Sequence, residues 1–262
     1  MLHGGFSVTA RFAQALVDAI ARQGGQVPEA MRLGTAQGGR VDMARQEALW
    51  ALFLEAGPDE PLASLRLGTD LQAGHLDIVG MLLLSCDTLG DGLEVLTEYA
   101  PIIGDNAHFE VAALGAHVQL RYVPGYVLHQ QQRVEATLGC VVSLARWMTS
   151  GRFRAREVLL AHAARTDPVA YEALLGCPVR FGQPVNAVCM DACELNHALV
   201  QAESTLQQHL RALADGVLAS LAQDGTSARV QRLIRAHPRW GKERIAEQLG
   251  MSGRHLNRKL AL

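Results

Sequence analysis

HFEVAALGAHVQLRYV, residues 108–123, is where the chain changes its period. Polar and apolar side chains alternate on both sides of Gly115-Ala116. A period of two puts every second residue on one face of a strand, and a two-residue break with glycine reverses the chain, so the stretch reads as a β-hairpin. Upstream, apolar residues recur every three or four positions, the spacing of helices with one buried face. Helices are expected over 6–23, 27–33, 43–55, 61–71, 78–85 and 90–103, with Gly24-Gly25, Gly34, Gly57-Pro58 and Gly74-His75 between them. Downstream, 130–149 returns to helix, 157–161 and 187–190 read as further strands, and 168–175 as a short helix between them. The implied fold class is α+β, a helical N-terminal half with a small antiparallel sheet behind it.

A chain of 262 residues with 49% hydrophobic and 19% charged side chains has room for one large or two modest domains, each with a core. Its longest apolar stretch, around 78–86, falls far short of the roughly 20 residues of a membrane helix. The N-terminus, MLHGGFSVTARF, lacks the basic segment and apolar core of a signal peptide. Five cysteines, an odd number in mostly apolar surroundings, suit a reducing compartment, so a cytoplasmic protein without a membrane partner is expected. Cys189 and Cys193 have neither zinc-ribbon nor redox spacing and read as structural thiols. No glycine-rich phosphate loop, nucleophile elbow or paired metal motif is present, so neither an enzyme nor a bound cofactor is expected.

The second half carries a long helix over 199–223, with Leu206, Leu210, Leu213, Val217 and Leu221 three or four positions apart. That spacing serves a seam against the same helix of a second subunit, and it serves burial against the helix's own domain equally well. Asp224-Gly225-Thr226-Ser227 then reads as a linker. From residue 226 onward nine Lys and Arg stand against two Glu, whereas the preceding 225 residues hold 15 basic and 24 acidic groups. A basic tail on an acidic body meets a polyanion or forms a solvated helical face.

Within that tail lies the sharpest local pattern, KERIAEQLGMSGRHLNRKL at 242–260. Two short helices, 243–249 and 253–260, are joined at Gly250-Met251. Ala246 is small where the second helix passes close, Gly250 suits a left-handed helix end, and Ser252 suits a cap. Ile245, Leu249, Leu256 and Leu260 supply buried sides, which leaves Arg254, Asn257, Arg258 and Lys259 exposed on the second helix. These residue types bond base edges and phosphates, so the pattern reads as a helix-turn-helix.

IAEQLGMSGRHLNRKL (245–260) closely resembles the first helix-turn-helix of AraC/XylS-type transcriptional regulators, and SARVQRLIRAHP (227–238) resembles the helix that opens that DNA-binding domain. LGTDLQAGHLDIVGMLLLSCDTLGDGLEVLTEYAPIIGD (67–105) and FGQPVNAVCMDACELNHALVQAESTL (181–206) resemble the centre and the end of the arabinose-binding-like sensor of one branch of that family. The resemblance implies three parts: a ligand-sensing domain over 1–198, a dimerisation and linker helix over 199–225, and a DNA-binding domain over 226–262. It also implies DNA contacts at Arg254, Asn257 and Arg258, with Ser252 as the cap. Family DNA-binding domains hold a second helix-turn-helix, so the domain is expected to be cut after its first motif.

For the effector, the richest polar cluster follows the hairpin: Arg121, Tyr122, Tyr126, His129, Gln130, Gln131, Gln132 and Arg133. Arg121, Tyr126, His129 and Arg133 are the candidate ligand residues, with the two arginines able to clamp a carboxylate. A small anionic or polar metabolite is expected. His75, Tyr99 and Trp147 are further candidates, and each also reads as ordinary packing. The function expected is a ligand-responsive, dimeric, DNA-binding transcription regulator. The alternative is a truncated module that dimerises or sequesters partners without binding DNA.

Overall fold

The structure, a computed structural model, describes residues 7–31, 39–224, 230, 233–234, 237–238, 240–248 and 253. Strand β1 (Ser7–Thr9) ends on a threonine whose side chain accepts a hydrogen bond from the Phe12 amide, and helix α1 (Ala10–Arg22) starts there rather than at residue 6. β1 pairs antiparallel with β2 (Arg40–Asp42), so these two short strands close a ribbon across some thirty intervening residues. Asp42 caps α2 (Met43–Ala56) in turn. Trp50 and Phe53 of α2 meet edge to face and build a core with Leu16 and Ile20 of α1.

Helices α3 (Ala63–Asp70), α4 (Asp77–Ser85) and α5 (Leu89–Ile103) follow. α5 begins with a capping box in which Thr88 and Asp91 each satisfy the other's backbone amide. The hairpin is present as β3 (Ala107–Leu114) and β4 (His117–Pro124), in register from Ala107↔Pro124 to Leu114↔His117. Gly115 turns it at φ +65°, a left-handed conformation that costs glycine little. Then come α6 (Gln130–Met148), β5 (Glu157–Leu159), α7 (Pro168–Leu175), β6 (Val179–Arg180), β7 (Asn186–Asp191) and α8 (Ser204–Asp224). A further helix, α9 (Lys242–Gln248), lies in the tail.

The main sheet has the order β3-β4-β7-β5-β6. Its neighbours run antiparallel except for the edge pair β5 and β6, which is parallel and modifies the all-antiparallel expectation. On one face Val118, Leu120, Tyr122, Val158, Val188 and Met190 join the main core with α5 and α6. On the other, Leu159, Ala187 and Cys189 form a small cluster. α3 and α6 cross at backbone contact: a Cβ on Gly68 would stand 2.1 Å from the Ala136 carbonyl oxygen, so only glycine fits. The fold class is α+β.

α8 begins at Ser204, five residues later than the expected 199. Residues before it are tied to the body, with the Leu199 amide donating to Asp87 and that of Val200 to Met148. The exposed Glu203 carboxylate then receives the Thr205 and Leu206 amides, and those bonds hold it below its usual pKa. Among the described residues no helix is long and apolar enough to cross a membrane.

Candidate effector cavity

Helices α2, α5 and α6 and the hairpin, with single residues of α1 and α4, line a cavity of about 130 Å³. From α5 come Leu89, Leu93, Leu96, Ala100 and Ile103, a stripe at helical spacing. α2 contributes Met43, Gln46 and Trp50. α6 presents Arg133, Thr137, Cys140, Leu144 and Met148, so a polar end grades into an apolar one along a single face. β3 and β4 add Phe109 and Tyr122, whose rings stand 5.0 Å apart. The walls are predominantly aliphatic and aromatic, as in small-molecule sites with a few placed polar groups.

Arg133 is the charged residue of that lining and is 6% exposed. Its guanidinium lies 3.5 Å from the centroid of the Tyr126 ring. One Nη donates to Gln46 Oε1 at 3.2 Å, and both face the Met43 sulfur at 3.8 and 3.9 Å. Among the described residues no carboxylate comes within ion-pair distance of it, and Glu47 attracts it only from farther away. Burial lowers its pKa, with Tyr126, Tyr122 and Glu47 opposing. Tyr122 and Tyr126 share a hydroxyl–hydroxyl bond of 2.9 Å, and burial raises both phenols, so they stay neutral. Burial pushes the Cys140 thiol up to about 12, which leaves it a protonated, apolar part of the wall.

Two lining residues each carry a buried polar atom without a hydrogen-bond partner among the described residues, the indole nitrogen of Trp50 and Oδ1 of Asn106. Buried polar atoms of this kind are uncommon and call for a reason.

Of the four candidate ligand residues, Tyr126 and Arg133 line the cavity; Arg121 and His129 do not. Leu120 and Tyr122 point into the core, so the strand period turns Arg121 to the opposite face, where it bonds Gln119 Oε1 at 3.0 Å. The two-arginine clamp is therefore not assembled. His129 sits at the start of α6 in a left-handed conformation, φ 53°. Among the further candidates, His75 accepts the Gln72 amide, Tyr99 bonds Asp215, and Trp147 is exposed. Gln46, Trp50, Asn106 and Thr137 were missed. The legible signal was a polar side chain inside an apolar helical stripe, at Gln46 and at Thr137.

In the tail, Val230, Ile245 and Ala246 are buried together with Leu233 and Trp240 packed against them. The His237 ring stacks on Trp240 at 3.9 Å, and the Arg244 guanidinium lies 5.0 Å from the same indole. Ser252, Arg254, Asn257, Arg258 and Lys259 lie outside the described residues.

The family model for the arabinose-binding domain of AraC transcription regulators, N-terminal, matches residues 29–199. The ornithine utilization regulator of Pseudomonas aeruginosa is 26% identical over 209 residues, 77% of this chain and 61% of that protein. The HTH-type transcriptional regulator VirS of Mycobacterium tuberculosis is 30% identical over 224 residues, 80% of this chain and 64% of that protein. The chain thus spans less than two thirds of the length of these relatives. Among solved structures, the transcriptional regulator CdpR from Pseudomonas aeruginosa has a TM-score of 0.63 at 19% identity, covering 96% of this chain and 79% of that chain, a likeness of fold. With the sensor match covering well over half of its residues, the chain belongs to the AraC family of transcription regulators.

Proposed function

We propose that this chain is the effector-sensing and dimerising region of a ligand-responsive, cytoplasmic, DNA-binding regulator, and that its effector occupies the cavity between α2, α5 and α6. The division is a sensor over 1–198, a dimerisation and linker helix over 199–225, and DNA-binding residues from 226. The observation that carries the reading is an apolar cavity with a buried Arg133 on its wall that has no carboxylate at ion-pair distance among the described residues. Tyr126 and Arg133 are the ligand residues retained from the sequence. In the tail, Arg254 and Asn257 read base edges, Arg258 and Lys259 hold phosphates, and Ser252 caps the reading helix.

The names of the family and of one relative refer to arabinose and ornithine. Neither fits these walls. A pentose needs a ring of polar partners, and an amine stripped of water beside Arg133 has no carboxylate among the described lining residues to receive it. A ligand at 100 times its dissociation constant adds about 2.7 kcal/mol, roughly 5–10 °C in melting temperature for a domain of this size. A thermal-shift screen of small metabolites on the 262-residue chain is expected to find such a compound. Ala100→Phe, which fills the cavity from α5, is expected to abolish the shift. A shift that survives in that variant places the effector elsewhere.

A further inference from the structure

The polar groups on the cavity wall define which chemistry it receives. A guanidinium carries five N–H donors, and among the described residues those of Arg133 meet one oxygen, Gln46 Oε1, and otherwise the Met43 sulfur, a weak acceptor. The indole of Trp50, itself 1% exposed and on the same lining, holds a further donor without a partner among the described residues. Two such donor groups match the two oxygens of a carboxylate, which accepts several N–H bonds at once and pairs with arginine in forked fashion. A single hydroxyl uses one of them.

Charge narrows the class further. Among the described residues Arg133 is the one ionised side chain on the lining. One positive charge balances a monoanion and leaves a phosphate dianion half-neutralised in an apolar surround. Among the described residues no lining carboxylate stands ready to hold an ammonium group, which favours an acid over an amino acid or amine.

Volume narrows it again. At about 130 Å³ the cavity is close to the roughly 150 Å³ of an engineered apolar cavity that takes up benzene. A ring or a short chain of about six to eight carbons fits such a space, and a long acyl chain does not. The apolar length of α5, with Leu89, Leu93 and Leu96, is the wall for that body.

We infer that the effector is a monocarboxylate with a compact apolar body, an aryl or short acyl acid whose carboxylate meets Arg133 and Trp50. This deepens the effector-site reading and rests on it.

The test is calorimetric titration of the full chain at fixed salt with phenylacetate and octanoate. The comparison probes are 2-phenylethanol and 2-phenylethylamine, which keep the body and change the head, and acetate and hexadecanoate, which keep the head and change the body. Phenylacetate or octanoate is expected to bind at least roughly tenfold more tightly than all four. Arg133→Gln is expected to erase that preference without weakening 2-phenylethanol, Arg133→Lys to keep part of it, and Trp50→Phe to reduce it, with circular dichroism confirming each fold. Alcohol or amine binding as tight as the carboxylate, or a preference untouched in Arg133→Gln, overturns the inference. If another class of compound binds and Ala100→Phe blocks it, the carboxylate inference fails and the effector site stands. If binding of every compound is insensitive to Ala100→Phe, both fail.

Discussion

Arg133 and Glu135 sit two residues apart on α6 and have opposite company. Glu135 is fully buried, and Arg165 pairs with it through Nε at 3.3 Å and through Nη2, while the Tyr171 hydroxyl donates to it at 3.0 Å. The His162 ring stands 3.5 Å away. Burial alone lowers the Arg165 pKa, but the hydrogen bond and charge of Glu135 outweigh it and raise the net value. A raised pKa on a cation means its contribution holds at every pH below the unfolded value, so this pair does not lose its arginine charge in the working range. Arg165→Ala strands a buried carboxylate, and a loss of about 3–5 kcal/mol in urea denaturation is expected. Arg133→Met removes a buried charge that has no carboxylate of its own, so stability without ligand is expected to stay within about 1 kcal/mol of the parent. Equal losses at the two arginines would remove the distinction between a structural charge and a ligand-directed one. Sequence placed Arg133 in a polar cluster at the hairpin exit, but it showed neither charge's partner. Partner choice depended on contacts at separations such as Glu135 to Arg165, outside any local pattern.

Among the elements, α8 shows how far periodicity carries. Its apolar spacing left two partners open, and the structure divides the stripe. Leu210, Leu218 and Leu221 pack on the body around the fully buried Ala214, while Leu206, Leu213 and Val217 are exposed. Leu206, Leu213 and Val217 are seven and four residues apart, so they share one face. That face is the proposed seam with a second copy. Leu206→Glu together with Leu213→Glu is expected to give monomers by light scattering while the melting temperature of the body holds. A wild type already monomeric at tens of micromolar would sink the seam. The hairpin, α5 and α6 were legible from a long, regular period, and α2, α4 and α7 from apolar segments bounded by glycine, proline or a cap. β1, β2 and β6 were not, since strands of two or three residues are too short to display a period. Their existence rests on non-local pairing, β1 with β2 and β6 parallel to β5. The cavity was illegible for the same reason: each of its helical stripes reads as core, and only their meeting leaves space.

At the scale of the molecule, α5 stands between the cavity and α8. Leu93, Leu96 and Ala100 face the cavity, while Tyr99 donates its hydroxyl to Asp215 Oδ1 at 2.5 Å and Glu98 pairs with Arg211 at 3.4 Å, both partners on α8. Burial, and then the bond to Asp215, push the Tyr99 phenol well above its usual pKa, so it remains a donor wherever the protein is folded. The Glu98–Arg211 pair is largely exposed and worth little by itself, which leaves the Tyr99 bond, part-buried with Asp215 itself exposed, as the stronger side-chain tie between the helices. On the proposed function, a ligand that shifts α5 would act on α8 through that tie, and α8 leads in sequence to the basic residues from 226 onward. Coupling of this kind is typically about 1–3 kcal/mol, or 5–150-fold in affinity, and it is reciprocal: DNA must alter effector affinity by the factor with which effector alters DNA affinity. Phosphate contacts make DNA affinity fall steeply with salt, so both titrations belong at one ionic strength. Tyr99→Phe deletes one hydroxyl and keeps the ring in place. Effector affinity without DNA is then expected to hold within about threefold, while the effect of effector on DNA binding, read by fluorescence anisotropy on the DNA beside the gene, falls toward none. Asp215→Asn, which keeps an acceptor for the phenol, is expected to retain most of the coupling. A Tyr99→Phe protein whose DNA affinity responds to effector as fully as the parent's would rule out this route from cavity to tail.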